Sequence, residues 1–175
     1  MEKESRNRYL VFLLKVLIVL LLLTFVKSLA FEHFVTKQKS MDHTLHEGNV
    51  VLVAKFGKEK LKRGDVICLK NPNRKSDDED LFTKRIIGVE KDVIRMENGR
   101  VMVNGEYIDE PYVSPENNQR NVFGEWEVPI NSYFVLGDNR DVSLDSREFG
   151  FIPEYEVVGK VVFRVYPLSE IGTIK

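Results

Sequence analysis

Two residues of this chain have the types needed for hydroxyl-based nucleophilic chemistry without a cofactor: Ser40, followed by Met41, and Lys84. A serine hydroxyl is a feeble nucleophile alone and needs a base to take its proton as it attacks. That base can be a histidine, or a lysine whose pKa is lowered by burial so that the neutral amine is available. Lys84 stands within Leu81-Phe82-Thr83-Lys84-Arg85-Ile86-Ile87. In a strand, Phe82, Lys84 and Ile86 would share one face, and Thr83, Arg85 and Ile87 the other. An ammonium flanked by Phe and Ile on its own face is disfavoured as a charge. An edge-strand lysine reaching water would show the same alternation, and on periodicity alone that plainer reading is favoured.

Other chemistries are more weakly signalled. His43 and His46 follow Ser40 closely and have Asp42 and Glu47 as neighbours. A Ser-His-Asp triad needs the imidazole on the hydroxyl and a separate carboxylate behind it, which so short a segment rarely supplies. A His-x-x-His pair without a distant third ligand is a poor zinc signal, so no metal site is expected. Cys68 is the only cysteine, which excludes an intramolecular disulfide and a multi-thiolate metal site. Its setting, Val66-Ile67-Cys68-Leu69, reads as that of a small buried hydrophobe.

The elements that must position Ser40 and Lys84 are short. Of the 175 residues, 26 are Lys or Arg and 27 Asp or Glu, so no broad basic field is present and no nucleic-acid partner is expected. From residue 32 onward, runs rich in Val, Ile and Phe alternate with turn residues, which predicts a mainly β, antiparallel domain. The clearest part is a meander from Asp92 to Ile108, with Asn98-Gly99 and Asn104-Gly105 as two-residue hairpin turns between Val93–Met96, Val101–Val103 and Tyr107–Ile108. Further strands are predicted at Val50–Ala54, Val66–Lys70, Leu81–Ile87, Tyr133–Leu136 and Val157–Tyr166. The charged segment Asn71–Asp80 reads as a solvated loop, and residues 111–121, with two prolines, as irregular chain.

Ahead of this domain, residues 10–26 are apolar apart from Lys15 and Thr24. Extended to Phe31, the run reaches the roughly 20 residues that cross a bilayer, with Lys15 and Lys27 reaching toward the two interfaces. Lys3, Arg6 and Arg8, partly offset by Glu2 and Glu4, favour a cytoplasmic amino terminus. The sequence thus predicts a cytoplasmic tail over 1–9, a single transmembrane helix over 10–31, and an extracytoplasmic domain over 32–175 in the cell membrane. A cleavable signal peptide ending near Ser28-Leu29-Ala30 is the rival, though its apolar core is usually about 7–15 residues. A buried core helix fits less well, because the run has no polar face to turn to water.

Four segments also occur in a telling order. Ser40-Met41-Asp42-His43-Thr44-Leu45, Arg63-Gly64-Asp65-Val66, Lys84-Arg85-Ile86-Ile87-Gly88 and Gly137-Asp138-Asn139-Arg140-Asp141-Val142-Ser143-Leu144-Asp145-Ser146-Arg147-Glu148-Phe149-Gly150 resemble the successive boxes of bacterial type I signal peptidases, in their single-span, Gram-positive-like form. The resemblance implies a signal-peptidase-like antiparallel β catalytic domain and a membrane-bound serine endopeptidase that removes signal peptides from exported preproteins, cutting after small residues. It implies Ser40 as nucleophile, Lys84 as general base and Ser143 hydrogen-bonding and orienting the lysine. Arg85, Asp138, Asp145 and Arg147 would form ion pairs that shape the site. The oxyanion would be held by the Ser40 backbone N–H and a second nearby donor. The implied partners are preprotein signal peptides and the lipid bilayer, with no cofactor.

This chain departs from that pattern in three places. His43 replaces a proline, loosening a turn that proline's fixed φ would restrain. Gln38 replaces a Gly or Ser two residues before the serine, and Glu90-Lys91-Asp92 replaces Pro-Gly-Asp, removing a turn glycine. These changes motivate an alternative, a non-catalytic paralogue acting as an assembly or chaperone-like factor for surface proteins. Retention of both Ser40 and Lys84 argues against it. Self-cleaving repressors also use a Ser/Lys pair on a related β fold, but they begin with a DNA-binding helix-turn-helix rather than an apolar run.

Overall fold

Alternation and turn chemistry produce most of the β structure in this computed structural model, which describes residues 2–72, 81–118 and 122–174. Side chains at 2–6, 23, 26, 27, 29, 59 and 117 are also outside the description, which removes Lys3, Arg6 and Lys27 from the flanks discussed above. The charged loop from Asn73 to Asp80 and residues 119–121 of the polar stretch lie outside the described residues as well.

The strands in chain order are β1 (Phe31–Val35), β2 (Val50–Ala54), β3 (Val66–Lys70), β4 (Leu81–Gly88), β5 (Val93–Glu97), β6 (Arg100–Val103) and β7 (Glu106–Tyr107). They continue with β8 (Gly124–Glu127), β9 (Ser132–Leu136), β10 (Ile152–Pro153), β11 (Val157–Tyr166) and β12 (Gly172–Thr173). All pairs are antiparallel. A large sheet has the order β1-β2-β11-β3-β4-β9-β10, with β12 on β11, and a smaller one the order β7-β6-β5-β8. The eight strands expected from the sequence are present within a residue or two at their ends, and β1, β8, β10 and β12 are additional.

The meander closes as its turn residues dictate. Asn98 and Gly99 have φ of 50° and 72°, and Asn104 and Gly105 of 54° and 86°, the left-handed pairs that a tight hairpin demands. On β5 and β6, Ile94, Met96, Val101 and Val103 turn inward and pack on Ile87, Phe134 and Leu136, which joins the small sheet to one face of the large one. On the opposite face Ile67, Leu69, Phe82, Ile86 and Val135 form a second cluster. A third, of Met41, Leu45, Val51, Val53, Val66, Cys68 and Val161, seats the segment after Ser40 against the large sheet. Cys68 is fully buried there, and desolvation, with the Glu32 charge adding to it, pushes its thiol up to about 12.

A helix, α1 (Glu2–Ala30), precedes the strands. It begins before the apolar run and stops one residue short of the expected end, because Phe31 opens β1. From residue 7 to 22 every described side chain is exposed, the leucines and valines included. Among the described residues no helix is long and apolar enough to cross a membrane. The junction with the β body is tied by Lys55 N–H donating to the Ala30 carbonyl at 2.9 Å, and by Phe31 packing edge-on against Phe56.

Candidate active site

β4 lies in the middle of the large sheet, with Lys84 opposite Ile67 and Arg85 opposite Val66 on β3. On its other side β9 pairs only with Arg85, Ile86 and Gly88, so among the described residues no strand covers that edge from Leu81 to Lys84. The lysine stem starts on the Phe82/Ile86 face, as alternation requires, and its Nζ lies 5.0 Å from the Phe82 ring centroid. The head turns to the open edge, donating to the Thr83 carbonyl at 3.1 Å and to Ser40 Oγ at 2.8 Å.

Ser40 sits in a single 3-10 turn, Lys39–Met41, which Met41 and Leu45 anchor in the core. Ser40 is 5% exposed and Lys84 fully buried. Burial lowers the lysine pKa from 10.5 to about 8, and it does so against Asp145 and Asp138, whose charges raise it, while Arg147 lowers it. The result is an amine that is substantially neutral near pH 8, within hydrogen-bond reach of a serine hydroxyl. That is the chemical requirement for a Ser/Lys base pair.

The segment Gly137–Gly150 holds this pair from behind. Asn139 N–H donates to the Ser40 carbonyl at 3.0 Å. Gly137 packs so closely that a Cβ there would lie 2.4 Å from the Ser40 carbonyl oxygen and 2.3 Å from Ser143 Oγ. Only glycine fits. Arg85 meets Asp138 in a two-pronged pair, at 2.8 Å and 2.7 Å, with both residues almost wholly buried, and it also donates to the Gly64 carbonyl at 2.8 Å. Arg147 pairs with Asp145 at 2.7 Å and 2.8 Å and donates to the Arg140 carbonyl at 2.7 Å. Asp145 also caps the short helix α2 (Ser146–Phe149) and accepts from Gly137 N–H at 3.0 Å. The fully buried carboxylates Asp138 and Asp145 are therefore each matched by a guanidinium.

Ser143 differs from expectation. Its buried hydroxyl makes no hydrogen bond, and the described partners of Lys84 Nζ are Ser40 Oγ and the Thr83 carbonyl. Ser143 Oγ lies against Gly137, the residue that also packs on the Ser40 carbonyl. The turn around His43 also differs. His43 has φ of 81°, a value proline cannot adopt, so this is another turn rather than a loosened version of the same one. Lys91 has φ of 68° and supplies the left-handed residue where the turn glycine is missing. His46 pairs with Asp42 at 3.1 Å, and Lys84 Nζ is the described side-chain partner of Ser40 Oγ. Among the described residues no group of three or more His, Cys, Asp or Glu could hold a metal ion.

Three supporting residues were not singled out from the sequence. The Thr44 hydroxyl donates to Asp138 and accepts from Arg85, tying the nucleophile turn to the β4 ion pair. Tyr112 lies over the Arg85 guanidinium at 3.9 Å, and Glu110 accepts from the buried Arg140. Thr44 stood inside a quoted box, but Glu110 lies just before, and Tyr112 within, an irregular stretch with no periodicity to mark them.

A scan against family models matches residues 9–166 to the family described as signal peptidase, peptidase S26. This chain belongs to that family. Signal peptidase I of Bacillus caldolyticus is 36% identical, over 97% of this chain and 96% of the relative. Signal peptidase IB of Staphylococcus aureus is 33% identical over 94% of this chain and 93% of its own. Among solved structures, a signal peptidase I from Enterococcus faecalis superposes with a TM-score of 0.50 at 29% identity, covering 58% of this chain and 96% of that one. The mainly β antiparallel architecture is thus that of the signal peptidase I fold. Within this peptidase family, the match spans all four boxes from Ser40 to Gly150.

Proposed function

We propose that this chain is a membrane-anchored serine endopeptidase that removes signal peptides from exported preproteins, with Ser40 as nucleophile and Lys84 as general base. The observation that carries the reading is the 2.8 Å approach of Lys84 Nζ to Ser40 Oγ in a site dry enough to bring the lysine to about 8. Family membership supports the substrate class, and the names of its relatives state the activity.

In this reading the neutral amine accepts the Ser40 proton while Oγ attacks the scissile carbonyl. The carbonyl oxygen becomes an oxyanion, held by the Ser40 backbone N–H and a second donor. The lysine then returns the proton to the departing amine, leaving an acyl-serine, and activates a water to release it. Arg85–Asp138 and Arg147–Asp145 shape the site without exchanging protons. Ser143, buried and unpaired, is the candidate to receive the lysine once the acyl bond has formed. The uncovered β4 edge from Leu81 to Lys84 offers main-chain groups to an extended peptide, the strand-addition mode of recognition.

α1 is the anchor in this account. Its apolar side chains from Leu10 to Leu22 are exposed, which is costly in water and favourable in lipid. The amino terminus would be cytoplasmic and residues 32–175 extracytoplasmic, placing Ser40 near the outer membrane surface, where signal peptides emerge.

The test is cleavage of a preprotein by the detergent-solubilised full chain. Ser40→Ala and Lys84→Ala are expected to lose about a thousandfold or more in rate, while His43→Ala and His46→Ala remain active. Loss in either histidine variant equal to that of Ser40→Ala would overturn the Ser/Lys assignment.

A further inference from the structure

Away from the cleavage pair, a cleft of about 420 Å³ opens at the end of the large sheet where β4 gives way to Val89. Val89 lies roughly 16 Å of extended chain beyond Lys84. Leu61 and Val89 line the cleft with apolar surface, and Glu90, Tyr133 and Glu154 bring polar groups to it. Tyr133 is only 8% exposed, and among the described residues its hydroxyl has no hydrogen-bond partner. Burial raises its pKa and Glu154, Glu90 and Asp65 add to the rise, which puts a neutral phenol beside the two carboxylates of the cleft. The charges lining the cleft are unevenly matched. Arg63 is held by Asp92 at 2.9 Å, which leaves Lys62 as the cation there without a side-chain partner among the described residues. Of the carboxylates, Glu90 accepts from Asn131 N–H at 3.3 Å, and Glu154 has no side-chain partner among the described residues. Past Asn131, Ser132 and Glu154 the cleft continues into a second depression, of about 660 Å³, where Ile130 and Tyr155 are 67% and 76% exposed. Lys58 at that end is taken up by the Val157 carbonyl at 3.0 Å.

We propose that this cleft binds the side chain of a lysine or arginine in a polypeptide, with a neighbouring apolar residue of the same polypeptide resting on Ile130 and Tyr155. The cationic head donates to Glu90, Glu154 and Tyr133 Oη, and its alkyl stem lies on Leu61 and Val89. An anion would meet two carboxylates instead, and a wholly apolar ligand would leave the buried Tyr133 hydroxyl unpaired. A free amine would fill the first depression and leave the second, with its exposed Ile130 and Tyr155, uncovered. The cleft shares no lining residue with the pocket beside Ser40, so the basic segment is held apart from that pair, and the proposal does not rest on the peptidase reading.

The experiment measures, by fluorescence anisotropy, the binding of short dye-labelled peptides to the detergent-solubilised full chain. Each peptide is built of glutamine, which offers no small residue to cut after, with one isoleucine and one arginine, citrulline or glutamate. The arginine peptide is expected to bind about tenfold or more tightly than the citrulline peptide, which keeps the shape and loses the charge, the effect of one charge-assisted hydrogen bond. Glu90→Gln combined with Glu154→Gln is expected to erase that ratio, and Tyr133→Phe to weaken the arginine peptide by about fivefold. Glu125→Gln combined with Glu127→Gln, exposed on β8, is expected to leave it unchanged. Agmatine, a guanidinium without a main chain, is expected to bind about tenfold or more weakly than the arginine peptide. Equal binding of the arginine and citrulline peptides by the unsubstituted protein overturns the proposal, as does an equal loss in the β8 variant, which would mean general charge attraction. Agmatine binding as tightly as the peptide overturns the assignment to a polypeptide. If the Glu90/Glu154 variant does not fold, Tyr133→Phe and the arginine-to-citrulline ratio decide.

Discussion

Raising the pH from 7 to 9 while following single-turnover cleavage separates a buried base lysine from an ordinary one. With its pKa at about 8, Lys84 is neutral in about one molecule in eleven at pH 7, in about half at pH 8 and in about ten of eleven at pH 9. The rate should rise about tenfold over that span and level off above it. A lysine left at its ordinary 10.5 would give a rise of about a hundredfold over the same span, with no plateau. The dominant cause is desolvation, so wetting the site should move the midpoint. Phe82 borders Nζ, and Phe82→Ser is expected to raise the midpoint by about one unit, lowering the rate at pH 7 by about tenfold and restoring it near pH 10. The assay is quenched-flow cleavage of a fluorogenic signal peptide, with unfolding monitored in parallel so that loss of fold is distinguished from loss of base. A midpoint that stays at about 8 in Phe82→Ser, or a rate in the unsubstituted protein that falls as pH rises from 7 to 9, would refute the reasoning.

Other perturbations follow from the packing around the pair. Asp138→Asn removes the carboxylate charge paired with buried Arg85 and should cost about 3–5 kcal/mol of stability, measured by denaturant unfolding. A loss under about 1 kcal/mol would mean that the pair is not dry. Gly137→Ala must displace the Ser40 carbonyl, so kcat should fall more than KM changes, and an unchanged kcat would contradict the close approach. His43→Pro, although it restores the family residue, cannot adopt φ of 81° and should lower both stability and rate, whereas His43→Gly should be tolerated. Greater activity in His43→Pro would show that the nucleophile turn has been assigned the wrong conformation.

How much of this was legible in the sequence depended on the range of the interaction. The Asn-Gly turns are local, and their φ values follow from residue type. Strand alternation put Lys84 with Phe82 and Ile86, because period two survives whatever the neighbours are. It could not show the head turning to the β4 edge, since that depends on where β9 stops pairing. β1 was hidden because Phe31 continues an apolar run, and β8 because Gly124-Glu125-Trp126-Glu127 is short and acidic and lies next to irregular chain. The charged residues of the last box announced ion pairs. The partners Glu110 and Tyr112 lie some thirty positions away from Arg140 and Arg85, and only the packing of the two sheets brings them in. At His43 the residue type suggested looseness, and the backbone instead took a left-handed conformation.

The central claim is a covalent step at Ser40 driven by Lys84. Acid-quenched mass spectrometry of the full chain mixed with a signal peptide tests it most directly. A transient adduct on Ser40 equal in mass to the amino-terminal cleavage fragment less water is expected, absent in both Ser40→Ala and Lys84→Ala. An adduct on any other residue, or cleavage that persists in Ser40→Ala, would contradict it.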